Sequence, residues 1–257
     1  MAQERVAGLA TLSDGRVTVA STSRVSGDFS LGADNLISRY RSLTGGIPVL
    51  FPRQVHGREI LFEDSDTGRR FGRLSHDEAG AWSGAEPPEA DRPEADAVIA
   101  VTPGRAISVI TADCAPVGIW TDDGVIGVAH AGWRGLLAGV VEAAVRAVCS
   151  LSATPHTVRA VLGPCIGPCC YEFGEGELVT VAQEYGETVR SQTASGTLSL
   201  DLRAGVIEAL KRSGCEFFGH LTASGAPVCT ACDSGFFSWR RSADSERQAL
   251  VMWATAP

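Results

Sequence analysis

Apolar residues change their spacing along this chain, and each change marks an element. Val17, Val19 and Ala20 stand among polar neighbours over residues 16–22, the pattern of a strand. Three more apolar runs of strand type occupy residues 106–111, 116–120 and 125–129. Thr121-Asp122-Asp123-Gly124 separates the last two, a turn signal that predicts a hairpin. After His130 the spacing becomes helical: Leu136, Leu137, Val140, Val141, Ala144, Val145 and Val148 recur at helical intervals up to Cys149. A second helix is predicted after Gly174, with Leu178, Val181 and Tyr185 on one face. A third begins at Asp201 as N-cap and runs through Val206 and Leu210 to Gly214. Strands and helices mix without strict β-α-β alternation, which predicts an α+β fold or a layered α/β sandwich rather than a dinucleotide-binding sheet. Gly, Pro, Ser and acidic residues crowd residues 64–94. Strand-like segments resume at once beyond them, so the stretch reads as an acidic loop inside a single domain covering 1–257.

Composition narrows the classes of function. A chain of 257 residues with 44% hydrophobic and 20% charged residues has the balance of a globular protein, which excludes disorder. Its formal net charge of -8 repels a phosphate backbone, so no nucleic-acid partner is expected. One basic pocket could still take a small anion. No apolar run approaches the ~20 residues of a membrane span, and no basic stretch leads into an apolar one at the start. A cytoplasmic protein without membrane contact is the expectation. Eight cysteines in a chain neither small nor evidently exported read as reduced thiols, available as ligands or as a nucleophile.

The hairpin brings two such groups together. With Asp122 and Asp123 as the turn, Cys114 opposes Ala131 and Ala115 opposes His130. Opposed residues lie about 5 Å apart, so a thiol and an imidazole reach the same hairpin end. Shifting the turn by one residue changes the register but not this convergence. Taken singly, Cys114 reads as a buried small side chain and His130 as incidental. Together, beside Asp113 and Gly132-Trp133-Arg134-Gly135, they read as a site. Two chemistries fit it: a thiol nucleophile with an imidazole base, or two ligands of a zinc ion with a third elsewhere and a fourth position open. His56, in Gln54-Val55-His56-Gly57, is the candidate third ligand, while His76, His156 and His220 read as exposed histidines. Arg134 and the start of the following helix suit an anion. A surface arginine beside turn glycines fits that segment equally well.

Two further segments carry less. Cys165, Cys169 and Cys170 with the pair Cys229 and Cys232 raise the idea of a four-cysteine zinc. The spacing of Cys165 and Cys169 and the adjacency of Cys169 and Cys170 argue against a second zinc. Residues 236–241, Phe-Phe-Ser-Trp-Arg-Arg, read as a strand packing its aromatics with arginines at its edge.

In combination these segments resemble the YfiH/laccase-domain (multicopper polyphenol oxidase-like) family. The resemblance rests on Gln-Val-His-Gly at 54–57, Thr-Ala-Asp-Cys-Ala-Pro-Val at 111–117 and His-Ala-Gly-Trp-Arg-Gly at 130–135. Gly-Pro-Cys-Ile-Gly-Pro-Cys-Cys-Tyr-Glu at 163–172, Cys-Thr at 229–230 and the 236–241 segment extend it. It implies a layered α/β/β/α sandwich with mixed sheets and a zinc ion on His56, Cys114 and His130. It implies a zinc-dependent purine nucleoside phosphorylase acting on adenosine, inosine, guanosine and methylthioadenosine, with adenosine deaminase activity. The partners would be a purine nucleoside and phosphate. Cys114, Asp113 and Arg134 would be catalytic, and Gln54, Arg134 and Glu172 would meet the substrate. Trp239 stands where the family usually has histidine or tyrosine.

Other functions compete. Multicopper oxidation needs His-x-His pairs, and this chain has five histidines and no such pair. Copper at the zinc site remains an alternative metal, since Cu²⁺ outcompetes Zn²⁺ for the same ligands. Relatives are also linked to removal of L-serine from UDP-MurNAc-L-Ser, an amidase reaction that the same site could serve. A metal-dependent binding module is a third reading, against which an open fourth position argues.

Overall fold

Residues 115–121 and 126–131 hold the middle of the molecule because nearly every side chain there is apolar. Strands β8 (Ala115–Thr121) and β9 (Ile126–Ala131) are buried at every position, and a strand buried on both faces must lie between two layers. The computed structural model describes residues 2–6, 9–63, 92–101, 103–153 and 157–255. Residues 64–91 of the expected acidic loop, with His76, lie outside the described residues, as does His156.

The remaining strands before the hairpin are β1 (Ala2–Val6), β2 (Leu9–Asp14), β3 (Val17–Thr22), β4 (Val49–Leu50), β5 (Ile60–Glu63), β6 (Ala97–Ala100) and β7 (Ala106–Thr111). After it come β10 (Val158–Leu162), β11 (Arg190–Gln192), β12 (Leu198–Leu200), β13 (Glu216–His220) and β14 (Gln248–Ala254). The helices are α1 (Leu36–Thr44), α2 (Trp133–Ala138), α3 (Val140–Leu151), α4 (Glu175–Tyr185), α5 (Leu202–Arg212) and α6 (Trp239–Ser242). One six-stranded sheet has the order β1-β2-β3-β14-β7-β4 and a second the order β13-β10-β8-β9-β6-β5. Both are mixed, with parallel pairs β4–β7, β5–β6 and β10–β13 among antiparallel ones.

The period of two in the strands sorts the core into three layers. Val19, Val109 and Met252 of the first sheet meet Trp120, Ile126 and Val128 of the second. On the far side of the second sheet, Val117, Ile119, Ala129 and Ala131 pack against Val141, Val145, Leu178 and Val206 of the helices. Leu36 and Tyr40 of α1 cover Ala106, Ala249 and Val251 on the far side of the first. The layers are therefore α/β/β/α, the expected architecture of mixed sheets.

The structure departs from the local sequence pattern in four places. The hairpin pairs Ala115 with Ala131 and Pro116 with His130, one residue off the expected register. Its loop has three residues, ending on Gly124 at φ 90°, whose N–H donates to Thr121 O at 3.1 Å. The expected helix through 136–149 is two helices, because Gly139 at φ 84° ends α2 and starts α3. Residues 236–241 are not a strand: the Ser238 hydroxyl accepts the Arg241 N–H at 3.1 Å and caps the short α6. His220 is half-buried at the end of β13 rather than exposed, its ring edge-on to Phe217. The helices expected after Gly174 and Asp201 match α4 and α5, and the Asp201 carboxylate accepts the Ala204 N–H at 3.1 Å.

Candidate metal centre and its cleft

Three chain segments end at one point. The loop between β4 and β5 carries His56, the turn between β7 and β8 carries Asp113 and Cys114, and β9 carries His130. Two of these residues sit in the left-handed backbone region, His56 at φ 60° and Asp113 at φ 94°. Such a conformation costs about 1–3 kcal/mol in a residue with a Cβ, so neighbouring bonds must hold it. At His56 the holder is Asp96, a fully buried carboxylate at the head of β6. It accepts the backbone N–H groups of Val55 at 3.2 Å, His56 at 2.9 Å and Gly57 at 2.7 Å. It also accepts Nδ1–H of His130 at 2.8 Å. That last bond leaves Nε2 of His130 as the ring atom free for a ligand role.

The ligating atoms of His56, Cys114 and His130 all lie within 4.8 Å of one another. The two imidazoles stand edge to face, centroids 4.8 Å apart. Space around them is tight: a Cβ on Gly132 would come within 3.0 Å of both Cys114 Sγ and His56 Cδ2. Two imidazole nitrogens and one thiolate, with one ring already oriented by a carboxylate, suit a zinc ion that keeps its fourth position open. The donor set fits the expected metal.

Charges at the centre support each other. Burial pushes the Cys114 thiol up, but His130 and His56 outweigh it and bring Cys114 down to about 6. Burial opposes the charged form of His130, and the Cys114 thiolate and Asp96 carboxylate raise it to about 9. Burial likewise disfavours the Asp96 carboxylate, yet His130 and the N–H groups of Gly57 and Val55 hold it below the usual carboxylate value.

The centre opens on a cleft of about 560 Å³, a size suited to a small molecule. Gln54 and Asp113 line it beside the three ligands, while Arg134 and Glu172 are absent from its lining. Arg134 is exposed on the six-residue α2 and stacks over Trp133 at 4.5 Å. Glu172 is exposed as well, and its backbone carbonyl accepts Arg240 Nη1 at 3.2 Å. The side-chain amide of Gln54 pairs with the backbone of Ile110 in both directions, each bond 2.8 Å long. Both oxygens of Asp113 are engaged at 2.6 Å, one by the Thr230 hydroxyl and the other by the Arg240 N–H.

The cleft also holds groups to which the sequence assigned no role, although Tyr171, Trp239 and Arg240 fall inside the motifs at 163–172 and 236–241. Arg53, Arg240 and Arg247 supply its positive charge, and Tyr171 and Trp239 its aromatic surface. Arg53 Nε and Thr111 Oγ1 are buried there without a hydrogen-bond partner. Asp96 had one faint signal, an acid directly before the apolar run of residues 97–100. Arg53 and Arg247 had none, since each is an isolated charge in a chain rich in arginine, and Arg240 reads only as the edge of an expected strand.

A mixed two-sheet sandwich with a two-histidine, one-cysteine centre defines a class of metal-binding α+β proteins. Residues 31–255 match the family model described as multi-copper polyphenol oxidoreductase laccase, and the chain belongs to that family. It is 35% identical over 207 residues to Purine nucleoside phosphorylase ORF3 of Streptomyces griseus, covering 80% of this chain and 74% of the relative. It is 33% identical over 263 residues to a Purine nucleoside phosphorylase of Xylella fastidiosa strain Temecula1, covering 96% and 92%. Among solved structures, a Neisseria meningitidis protein of family DUF152 superposes with TM-score 0.74 at 26% identity, covering 97% of this chain and all of that one. The Bacillus licheniformis hypothetical protein YfiH superposes with TM-score 0.78 at 20% identity, covering 97% of each chain. The relatives' names support an enzyme. Among the described residues, His56, Cys114 and His130 form the one metal-type cluster that contains histidine, and no helix is long and apolar enough to cross a membrane.

Proposed function

We propose that this protein is a zinc-dependent purine nucleoside phosphorylase, acting on adenosine and related purine nucleosides with inorganic phosphate as co-substrate. One observation carries the reading: a three-ligand centre opens on a cleft that combines arginines, unpartnered buried polar atoms and exposed aromatic surface. Held by His56, Cys114 and His130, zinc would supply Lewis-acid polarisation of an oxygen in the cleft. Arg240 and Arg247 are the cations suited to phosphate, and Arg53, whose Nη2 is ion-paired to Glu94, keeps a free Nε as a donor still without an acceptor. Trp239, 60% exposed at the cleft, and Tyr171 offer faces on which a purine can stack. A phosphate oxygen would attack C1′ of the ribose as the bond from C1′ to the purine nitrogen breaks. The products are ribose-1-phosphate and a purine that takes up one proton. Asp113, with both oxygens occupied, serves this reaction by holding the Arg240 segment against the cleft.

Chromatography of products from adenosine, with and without phosphate, tests the reading. Adenine and ribose-1-phosphate should form only with phosphate, and Cys114→Ala should lower the rate on the order of 100-fold or more, as expected when a Lewis-acid contribution of several kcal/mol is lost. Inosine formed without phosphate would mark deamination as a second activity. No turnover of adenosine, inosine or guanosine by protein carrying its metal would overturn the assignment.

A further inference from the structure

A second cluster lies outside the cleft's ligand set. Cys169 and Cys170 occupy the turn before Tyr171, and Cys229 and Cys232 occupy a Cys-x-x-Cys turn ahead of α6. All four are free thiols, and their sulfurs lie within 4.8 Å of one another. Cys232 Sγ is 3.5 Å from that of Cys169 and 3.3 Å from that of Cys170. A disulfide needs about 2.05 Å, so neither pair is bonded. Four sulfurs at ~2.3 Å from one ion stand ~3.8 Å apart, which is the spacing range seen here. The Cys-x-x-Cys turn is closed by the N–H groups of Cys232 and Asp233, which donate to Cys229 O at 3.1 and 3.0 Å. Gly167 N–H donates to Cys229 Sγ at 3.1 Å, a bond that favours a charged sulfur.

Packing does not account for the cluster. Cys232 is exposed and the other three only half-buried, so their convergence buries little apolar surface. Adjacency of Cys169 and Cys170, which argued against a shared ion from sequence, is overcome because the turn at 168–170 leaves both sulfurs near Cys232.

We propose that Cys169, Cys170, Cys229 and Cys232 hold a second, structural zinc ion in a closed four-thiolate site. Four thiolates set around one point select zinc over magnesium or calcium. The ion would staple two segments that have little regular structure of their own. They are already joined by backbone β-pairing between Cys165 and Cys229, both free thiols, and by Thr230 N–H donating to Cys165 O at 3.2 Å. These segments carry Tyr171, Trp239 and Arg240, so the staple would fix one wall of the cleft.

Metal content per chain, measured by mass spectrometry of the elements, tests this independently of any activity. Protein purified under reducing conditions should carry two zinc ions. A His56→Ala/Cys114→Ala variant, emptied at the first centre, should keep one. Adding Cys170→Ser and Cys232→Ser should remove that one, and cobalt in its place should give the absorption of a tetrahedral all-thiolate ion. A folded His56→Ala/Cys114→Ala protein without zinc, or with iron in place of it, overturns the proposal. That variant leaves all four thiols intact, so a folding failure of the serine variants does not decide the outcome.

Discussion

Asp96 bears four hydrogen bonds on one buried carboxylate, three from backbone N–H groups and one from an imidazole. An amide in its place has one acceptor oxygen, and its NH₂ would face donors. Asp96→Asn is therefore expected to release the His56 loop and weaken zinc binding by about 10–100-fold, the usual effect of removing a ligand's orienting partner. Competition with a chromophoric zinc chelator measures it, and an unchanged affinity would remove Asp96 from this role. Cys114 gives a second prediction in metal-free protein. Its acidity is raised, so the thiolate persists from high pH down to about 6 and is lost as pH falls through that value. Burial instead pushes Cys165 and Cys215 up to about 12. Iodoacetamide at neutral pH should thus label Cys114 ahead of those two, with half-maximal rate near pH 6 by peptide mapping. A midpoint near the ordinary thiol value would mean that the imidazoles do not stabilise the thiolate.

Elements announced by local chemistry were legible, and their boundaries followed from single residues. Asp201 illustrates this: its carboxylate on the Ala204 N–H starts α5 where the sequence expects a cap. Asp201→Ala should cost about 1 kcal/mol and lower Tm by roughly 2–4 °C in calorimetry. No change in Tm would show that α5 is held by packing of Leu202, Val206 and Leu210 alone. Gly139 and the 236–241 segment depart from their local pattern for opposite reasons. Helical periodicity runs straight through Gly139, since Leu136 and Val140 are both buried, and only the positive φ reveals the break. In 236–241 the aromatics suggested a strand, while the Ser238 cap and the backbone bond from Arg240 to Asp113 impose a turn of helix. The hairpin slipped one register because its loop has three residues, yet Cys114 and His130 still converge.

At the scale of the molecule, the two sheets meet through the alternation of β8 and β9, which are apolar on both faces and so require a layer on each side. Strand β14, near the chain's end, enters the first sheet between β3 and β7, and its pairing with β3 joins residues as far apart as Leu250 and Ser21, which no local pattern encodes. Strands β3, β7, β8 and β9, helices α4 and α5 and the meeting of thiol with imidazole could be read along the chain, because they depend on periodicity, caps and turn residues within a few positions of each other. Helix α1 and strands β10 to β14 were not read there. His56 was named from its motif, but its claim as a ligand depends on Asp96, 40 residues away, bending the loop towards β9. Arg53 and Arg247 of the cleft lay beyond local reading for the same reason, and the four cysteines, although noticed along the chain, could not be placed around one point from their spacing. Isolated charges and thiols have no periodicity, and what they meet is set by which distant turns the two packed sheets bring to one edge.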